Sequence, residues 1–180
     1  MTRLLQAAFV LCLVGVAVGG EPTVKVGAKA PEFKFKDQSG KSIDLAELFA
    51  KGPVLVRLTC GCSGCDKELA YFQEIDAAYK KAGLTSVAIF KEADEKVAKY
   101  AAEKKINMLY GVDTKGTSWS VFQTKTMPTN ILIGKGGEII HIAPGCDTTG
   151  FLAKKVSEKI AKTLETTAVD VQKKVVEKQK

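Results

Sequence analysis

A cluster of cysteines is the part of this sequence best suited to chemistry. Three of the five cysteines in the 180 residues lie in the segment Cys60-Gly-Cys62-Ser-Gly-Cys65. A disulfide between cysteines so close in sequence closes too small a loop to restrict the unfolded chain much, so stability alone does not explain the cluster. A Cys-x-x-Cys pair suits reversible dithiol chemistry, in which one thiol attacks and the other resolves the mixed disulfide.

The pair Cys62 and Cys65 follows a predicted strand and opens a predicted helix. Val54–Thr59 is β-branched and mostly apolar, which is typical of a central strand buried on both faces. Apolar residues at helical spacing predict a helix over Cys65–Lys81, namely Leu69, Phe72, Ile75 and Tyr79. Because the N-terminus of a helix favours negative charge, we expect a lowered thiol pKa at this junction.

The alternatives to a redox dithiol are a zinc site and an inert pair. A tetrahedral zinc site needs further Cys or His ligands, and His141 is the single histidine of the chain. The motif and its position therefore favour redox chemistry, and we expect no metal and no cofactor.

The composition fits one globular domain and argues against a nucleic-acid partner. Hydrophobic residues make up 46% of the chain and charged residues 26%, as in ordinary folded proteins. The net charge is +7, but the lysines are mixed with acidic residues and form no basic stripe with interleaved aromatic residues.

The N-terminus has the layout of a secretory signal. Arg3 precedes the almost wholly apolar stretch Leu4–Val18, and Gly19-Gly20 supplies small residues for cleavage. We expect residues 1–20 to be a signal peptide and the protein to be exported, periplasmic or extracellular. Membrane contact is expected only through this segment, if it stays uncleaved. Cys12 would leave with it, and the remaining cysteines would meet an oxidising compartment.

The remaining patterns predict an α/β domain over residues 21–166 and a Lys-rich helical extension over 167–180. Alternating strands and helices indicate a mostly parallel sheet covered on both faces. The expected elements after the first helix are a strand over Leu84–Phe90, a helix over Ala93–Ile106, a loop-rich stretch with a helical turn near Trp119, a hairpin over Asn130–Ile142 and one long helix from Gly150 whose last residues fray.

Three motifs in this order resemble the redoxin (AhpC/TSA) superfamily. Gly27–Phe33 resembles its opening segment, Cys62–Leu69 resembles the motif of its TlpA/ResA-like thiol–disulfide oxidoreductases, and Met127–Ile133 resembles its cis-proline strand. The match runs from about residue 26 to 165. The resemblance implies a thioredoxin-like fold: a central mixed sheet flanked by helices, with an N-terminal β-hairpin and an extended C-terminal helix.

The same resemblance implies roles for individual residues. Cys62 is expected to be the nucleophile, Cys65 the resolving thiol and Glu68 an acid–base carboxylate with a raised pKa; alternatively, Glu68 is an ordinary surface residue of the helix. Met127 and a cis Pro128 are expected to bind an extended segment of substrate. The implied partners are proteins that carry thiols or disulfides; oligomeric state is left open.

The sequence departs from the family pattern around the dithiol. Gly61 stands where a tryptophan usually precedes the first cysteine, and Ser-Gly replaces the usual Gly-Pro between the cysteines. The dipeptide helps to set the reduction potential, so the sequence does not decide whether the protein oxidises, reduces or isomerises its partners. Arg57 is either a charge at a sheet edge or a guanidinium beside the thiols.

Two further cysteines extend the candidate site. Cys60 is an additional redox thiol, a metal ligand or simply a small buried residue. Gly145 and Cys146 lie in the loop that lines the substrate groove in this fold. Cys146 is then a further resolving thiol, a passive thiol or a partner of Cys60.

Two other functions stay open from the sequence. Thr59-x-x-Cys62 partly resembles the site of a peroxiredoxin-like thiol peroxidase, although no arginine follows Arg57 to complete the peroxide cage. A Sco-type copper chaperone has the same fold, but that resemblance requires a Cys-x-x-x-Cys spacing and a distal histidine.

Overall fold

A computed structural model of the chain describes residues 24–178, so the predicted signal peptide lies outside the described residues. The strands are β1 (Lys34–Asp37), β2 (Ser42–Asp44), β3 (Val54–Thr59), β4 (Thr85–Phe90), β5 (Leu109–Val112), β6 (Thr129–Ile133) and β7 (Ile139–Pro144). The helices are α1 (Leu45–Lys51), α2 (Ser63–Tyr79), α3 (Asp94–Glu103), α4 (Thr117–Val121), α5 (Phe151–Thr163) and α6 (Val171–Lys178). Within residues 24–178, no helix has the length and apolarity to cross a membrane.

All the strands join one mixed sheet in the order β2-β1-β5-β4-β3-β6-β7. The central strands β3, β4 and β5 run parallel, and the hairpins β1-β2 and β6-β7 add antiparallel strands on either side. The predicted mixed sheet and N-terminal hairpin are confirmed. Strand β5 was not predicted, because its short sequence Leu-Tyr-Gly-Val lies in the stretch expected to be loop-rich.

The sheet separates two hydrophobic cores, and strand alternation assigns each residue of β3 to one of them. Val54, Val56 and Leu58 pack on the side of α1 and α4, whereas Leu55 packs on the side of α2, α3, α5 and α6. Because side chains alternate along a strand, Arg57 lies on the same face as Leu55 and is directed at α2.

Helix α2 carries the predicted apolar stripe, and it begins two residues earlier than expected. Cys62 is its N-cap, and its inward residues are buried: Cys65, Leu69, Phe72, Ile75 and Tyr79. Glu68 lies three residues after Cys65 and therefore shares the buried face.

The single long C-terminal helix predicted from Gly150 is divided in two, and residues 171–178, which were expected to fray, form a packed helix. The chain turns after α5, with Glu165 in the left-handed backbone region at φ 52°. Val171 and Val175 of α6 are buried against the core, and α6 packs on α2 and α5. The seven-residue spacing from Leu164 to Val171 continues the apolar stripe across the turn and conceals it in the sequence.

We expect Val175→Ala to lower the free energy of unfolding by about 1–3 kcal/mol, because it removes methyl groups from a side chain that is 3% exposed. Val176→Ala is the matched control, since its side chain is 46% exposed, and it should cost less than about 0.5 kcal/mol. Urea unfolding measures both values. Equal, negligible effects would mean that α6 does not pack on the domain.

Candidate active site

The three clustered cysteines converge on one point at the start of α2. The Cys60 Sγ lies 2.6 Å from the Cys62 Sγ and 3.4 Å from the Cys65 Sγ, and all three thiols are free. All three sulfurs lie within 4.8 Å of one another, so they are also the candidate metal ligands among residues 24–178. The fold brings together the dithiol predicted from the sequence and adds Cys60 as its central member.

The three thiols differ in exposure, and the pKa values of Cys60 and Cys62 are shifted in opposite directions. Cys62 is exposed, whereas Cys60 and Cys65 are buried. The hydrogen bond that the Cys60 thiol donates lowers the pKa of Cys62, and backbone N–H groups of Cys65 and Gly64 lower it further. Burial raises the pKa of Cys60, and its contact with Cys62 adds to the rise. Cys62 therefore ionises more readily than Cys60, and it is the member of the group that meets solvent.

Hydrogen bonds from neighbouring elements hold the cysteine loop in place. The Gly61 N–H donates to Glu92 Oε1 at 2.9 Å. At the first turn of α2, Asp66 accepts hydrogen bonds from the Tyr100 hydroxyl at 3.0 Å and from Lys104 Nζ at 2.9 Å. Helix α3 and the loop before it thus fix the end of α2 that presents the sulfurs.

A buried ion pair lies directly beneath the dithiol. Arg57 and Glu68 are 2% and 1% exposed, and Arg57 Nη2 lies 2.9 Å from Glu68 Oε2. Arg57 also donates to Asn130 Oδ1 at 2.9 Å and to the Cys65 carbonyl at 3.4 Å, and its guanidinium stacks 4.2 Å from the Phe72 ring centre. Both alternatives considered for these residues, an edge charge at Arg57 and a surface residue at Glu68, are therefore wrong.

Glu68 also anchors the loop that carries Cys146. Its second oxygen, Oε1, accepts a hydrogen bond from the Asp147 N–H at 2.7 Å. Both carboxylate oxygens are therefore occupied, one by Arg57 and one by the loop. The acid–base role predicted for Glu68 stays a prediction, while its positioning contacts are part of the structure.

The groove residues predicted from the sequence lie side by side. The Met127–Pro128 peptide bond is cis, and the Gly145 N–H donates to the Pro128 carbonyl at 2.8 Å. A Cβ atom at Gly64 would lie 3.2 Å from the Cys146 Sγ, so the loop that carries Cys146 packs against the Ser-Gly turn of the dithiol. The expectation that this loop lies beside the cis-proline is confirmed.

Asn130 and Asp147 belong to the hydrogen-bond network beneath the dithiol, and neither was predicted from the sequence. Asn130 is buried in β6, which is otherwise largely apolar, and it pairs with Arg57 across the strands. Each of the apolar strands β3 and β6 contains a strongly polar residue, Arg57 or Asn130, and this pattern in the sequence could have indicated that the two residues pair. Asp147 contributes a backbone N–H, for which side-chain patterns carry no signal.

Known proteins share both the sequence pattern and the fold. The AhpC/TSA family model matches residues 26–142. The chain belongs to the AhpC/TSA family. Thiol-disulfide oxidoreductase ResA of Bacillus cereus is 28% identical over 156 residues, with 81% of this chain and 90% of the relative aligned. ResA of Oceanobacillus iheyensis is 30% identical over 152 residues, covering 81% of this chain and 78% of the relative.

Solved structures confirm the thioredoxin-like architecture of this AhpC/TSA family member. A putative thiol:disulfide interchange protein DsbE from Chlorobium tepidum has a TM-score of 0.72 at 22% identity, covering 78% of this chain and 99% of that structure. Peroxidoxin BcpB from Mycobacterium tuberculosis has a TM-score of 0.66 at 22% identity, with 79% and 97% covered. At these identities the structural matches establish the fold alone.

The pKa directions predict an order of thiol reactivity in the reduced AhpC/TSA chain. The pKa of Cys62 is lowered by the Cys60 hydrogen bond, whereas burial and the nearby Glu68 charge raise the pKa of Cys146. Between these pKa values Cys62 is a thiolate and Cys146 a thiol, so iodoacetamide should alkylate Cys62 at the lower pH. Mass spectrometry across a pH series measures both half-points. A reversed order would contradict the electrostatics described here.

We expect Glu68→Gln to lower the free energy of unfolding by about 3–5 kcal/mol, because it leaves the Arg57 charge buried without its partner. Glu103→Gln is the matched control: its partner Lys99 lies 4.0 Å away and both side chains are exposed, so the loss should stay below about 0.5 kcal/mol. Denaturant unfolding compares the two variants. A loss below about 1 kcal/mol for Glu68→Gln would refute the structural weight given to this pair.

Proposed function

We propose that this chain is a thiol–disulfide oxidoreductase that exchanges disulfides with exported protein partners through Cys62 and Cys65. The observation that carries the proposal is an exposed Cys62 with a lowered pKa at the N-terminus of α2, whose sulfur lies within 4.8 Å of the buried Cys65 sulfur. The ResA relatives confirm the oxidoreductase class predicted from the sequence.

The exchange has two steps that balance in atoms and electrons. The Cys62 thiolate attacks one sulfur of the partner's disulfide, and the partner's other sulfur leaves as a thiolate and takes up a proton. Cys65 then loses its proton and attacks the Cys62 sulfur, which releases the second partner thiol and leaves a Cys62–Cys65 disulfide. The partner gains two electrons and this chain loses them; the reverse sequence oxidises a partner dithiol.

The neighbouring residues have supporting roles in this proposal. Glu68 accepts the proton of the resolving thiol, and its burial one turn after Cys65 supports that role. Met127, Pro128 and Gly145 bind the partner's extended backbone, because the sheet register places the residues before Thr129 alongside the end of β3. The contact of Cys146 with the Ser-Gly turn supports a role for it as a further resolving thiol.

Export of the protein is also part of the proposal. The N-terminal sequence pattern supports it, and four cysteines outside that segment suit an oxidising compartment. One of the similar structures is described as a secreted disulfide oxidoreductase of Mycobacterium tuberculosis. The partners are then exported proteins with exposed thiols or disulfides.

The peroxidase alternative has weaker support at this site. Arg57 is the single arginine among residues 24–178, and Glu68 and Asn130 occupy its guanidinium. The Thr59 hydroxyl donates to the Cys60 carbonyl at 3.4 Å. The Arg57 guanidinium is therefore already held in the ion pair with Glu68 and does not serve as the cation that a peroxide-binding site needs.

Insulin reduction by the wild type and two variants tests the exchange. Cys62→Ser should lower turnover at least about a hundredfold, because a serine hydroxyl is not ionised at neutral pH. Cys65→Ser should instead accumulate a mixed disulfide between Cys62 and the substrate, which non-reducing electrophoresis and mass mapping detect. Full turnover by Cys62→Ser would end the proposal.

The Cys65→Ser variant also separates the candidate resolving thiols. If Cys60 or Cys146 resolves in place of Cys65, the mixed disulfide will not accumulate. Mass mapping will then find Cys62 linked to Cys60 or to Cys146. A persistent mixed disulfide assigns resolution to Cys65 alone.

A further inference from the structure

The exchange mechanism needs two thiols, yet the site contains three. Cys60, Cys62 and Cys65 form a compact group whose sulfurs all lie within 4.8 Å of one another. Cys60 is the central member, 2.6 Å from the Cys62 sulfur and 3.4 Å from the Cys65 sulfur. Disulfide exchange through Cys62 and Cys65 does not require a third thiol at the centre of the group.

Three sulfurs at these separations fit around one metal ion. A metal–thiolate bond of about 2.3 Å places three sulfurs of a trigonal site about 4 Å apart. The Cys60 and Cys62 sulfurs, 2.6 Å apart, need to separate by about 1.4 Å to reach that spacing, which exposed Cys62 can do by side-chain rotation. That exposure also gives an ion a path to the two buried sulfurs.

The chemistry of the ligands selects a soft monovalent ion. Soft thiolates suit Cu(I) and Zn²⁺ alike, but a closed structural zinc site requires four protein ligands. His141 does not provide a fourth ligand, because the sheet register places it level with Leu132 and Leu55. Leu55 lies four residues, or about 13 Å along β3, from Thr59 at the cysteine end of the strand. The Cys146 sulfur lies outside the group of three. An all-sulfur, three-ligand site is the composition that suits Cu(I).

The surrounding structure holds the three ligands in position before an ion arrives. Cys60 follows the central strand β3, Cys62 caps α2 and Cys65 lies in its first turn. The intervening Gly61 is bound to Glu92, and Arg57 donates to the Cys65 carbonyl. A site formed from rigid elements loses little conformational entropy on binding.

We propose that the reduced protein binds one Cu(I) ion through the thiolates of Cys60, Cys62 and Cys65. The three thiols lose three protons, three Cu–S bonds form and the ion remains Cu(I), so no electron acceptor is needed. A Cys62–Cys65 disulfide removes two ligands, and the oxidised protein therefore does not bind the ion. This function goes beyond disulfide exchange and does not rest on it.

Anaerobic competition with the Cu(I) chelator bicinchoninate tests the site in the reduced full chain. We expect one Cu(I) per chain and at least about a tenfold lower affinity for Cys60→Ser. Cys146→Ser is the matched control, a thiol outside the group, and should retain wild-type affinity. Wild-type affinity in Cys60→Ser, or loss of binding in Cys146→Ser, would overturn the proposed ligand set.

X-ray absorption on the wild-type Cu(I) complex provides a test that does not depend on the folding of a variant. Three sulfur neighbours at about 2.3 Å are expected. Two sulfur neighbours, or a site that takes up Zn²⁺ in preference to Cu(I), would overturn the proposal. Insulin reduction by the ion-free protein is measured alongside, so a failure of copper binding is distinguished from a failure of disulfide exchange.

Discussion

The buried contact between Arg57 and Glu68 determines how the reactive end of this protein is assembled. It joins β3 to α2, while Asn130 extends the network to β6 and the Asp147 N–H extends it to the loop that carries Cys146. A buried charge is tolerated only where its hydrogen bonds are satisfied, so these four elements have one favourable arrangement relative to one another. The positions of the cysteine sulfurs therefore follow from the position of the Arg57–Glu68 ion pair beneath them.

Above that pair, the fold places three similar thiols in different environments. Peptide N–H groups at the start of α2 and the Cys60 thiol face the Cys62 sulfur and stabilise its negative charge. Cys60 and Cys65 lie one layer deeper, where burial withholds them from solvent. In the proposed exchange, this difference in exposure lets a partner reach Cys62 first and leaves Cys65 close enough to complete the exchange. The spacing of the cysteines in the sequence brings the thiols together, and the strand-to-helix junction gives them different exposures and pKa values.

The central strands, the stripe on α2 and the dithiol could be predicted because each depends on local periodicity or spacing. The apolar positions of α2, including Leu69 and Phe72, are buried as expected. Two features depend on contacts distant in sequence and were therefore not predictable. Strand β5 is recognisable only through its pairing with β1 and β4, and the ion pair between Arg57 and Glu68 depends on how α2 packs on the sheet. The turn before α6 was concealed by an apolar period that continues across it.

Cys60 connects the redox state of the site to its occupancy by an ion. If the reduced form alone binds Cu(I), mass action stabilises that form by an amount that grows with the ion concentration relative to its Kd. For a two-electron couple, each tenfold excess of ion over Kd then raises the reduction potential by about 30 mV. By the same linkage, oxidation to the Cys62–Cys65 disulfide releases the ion. Under the proposed ligand set, a third thiol at this position makes the direction of disulfide exchange sensitive to the supply of a soft metal.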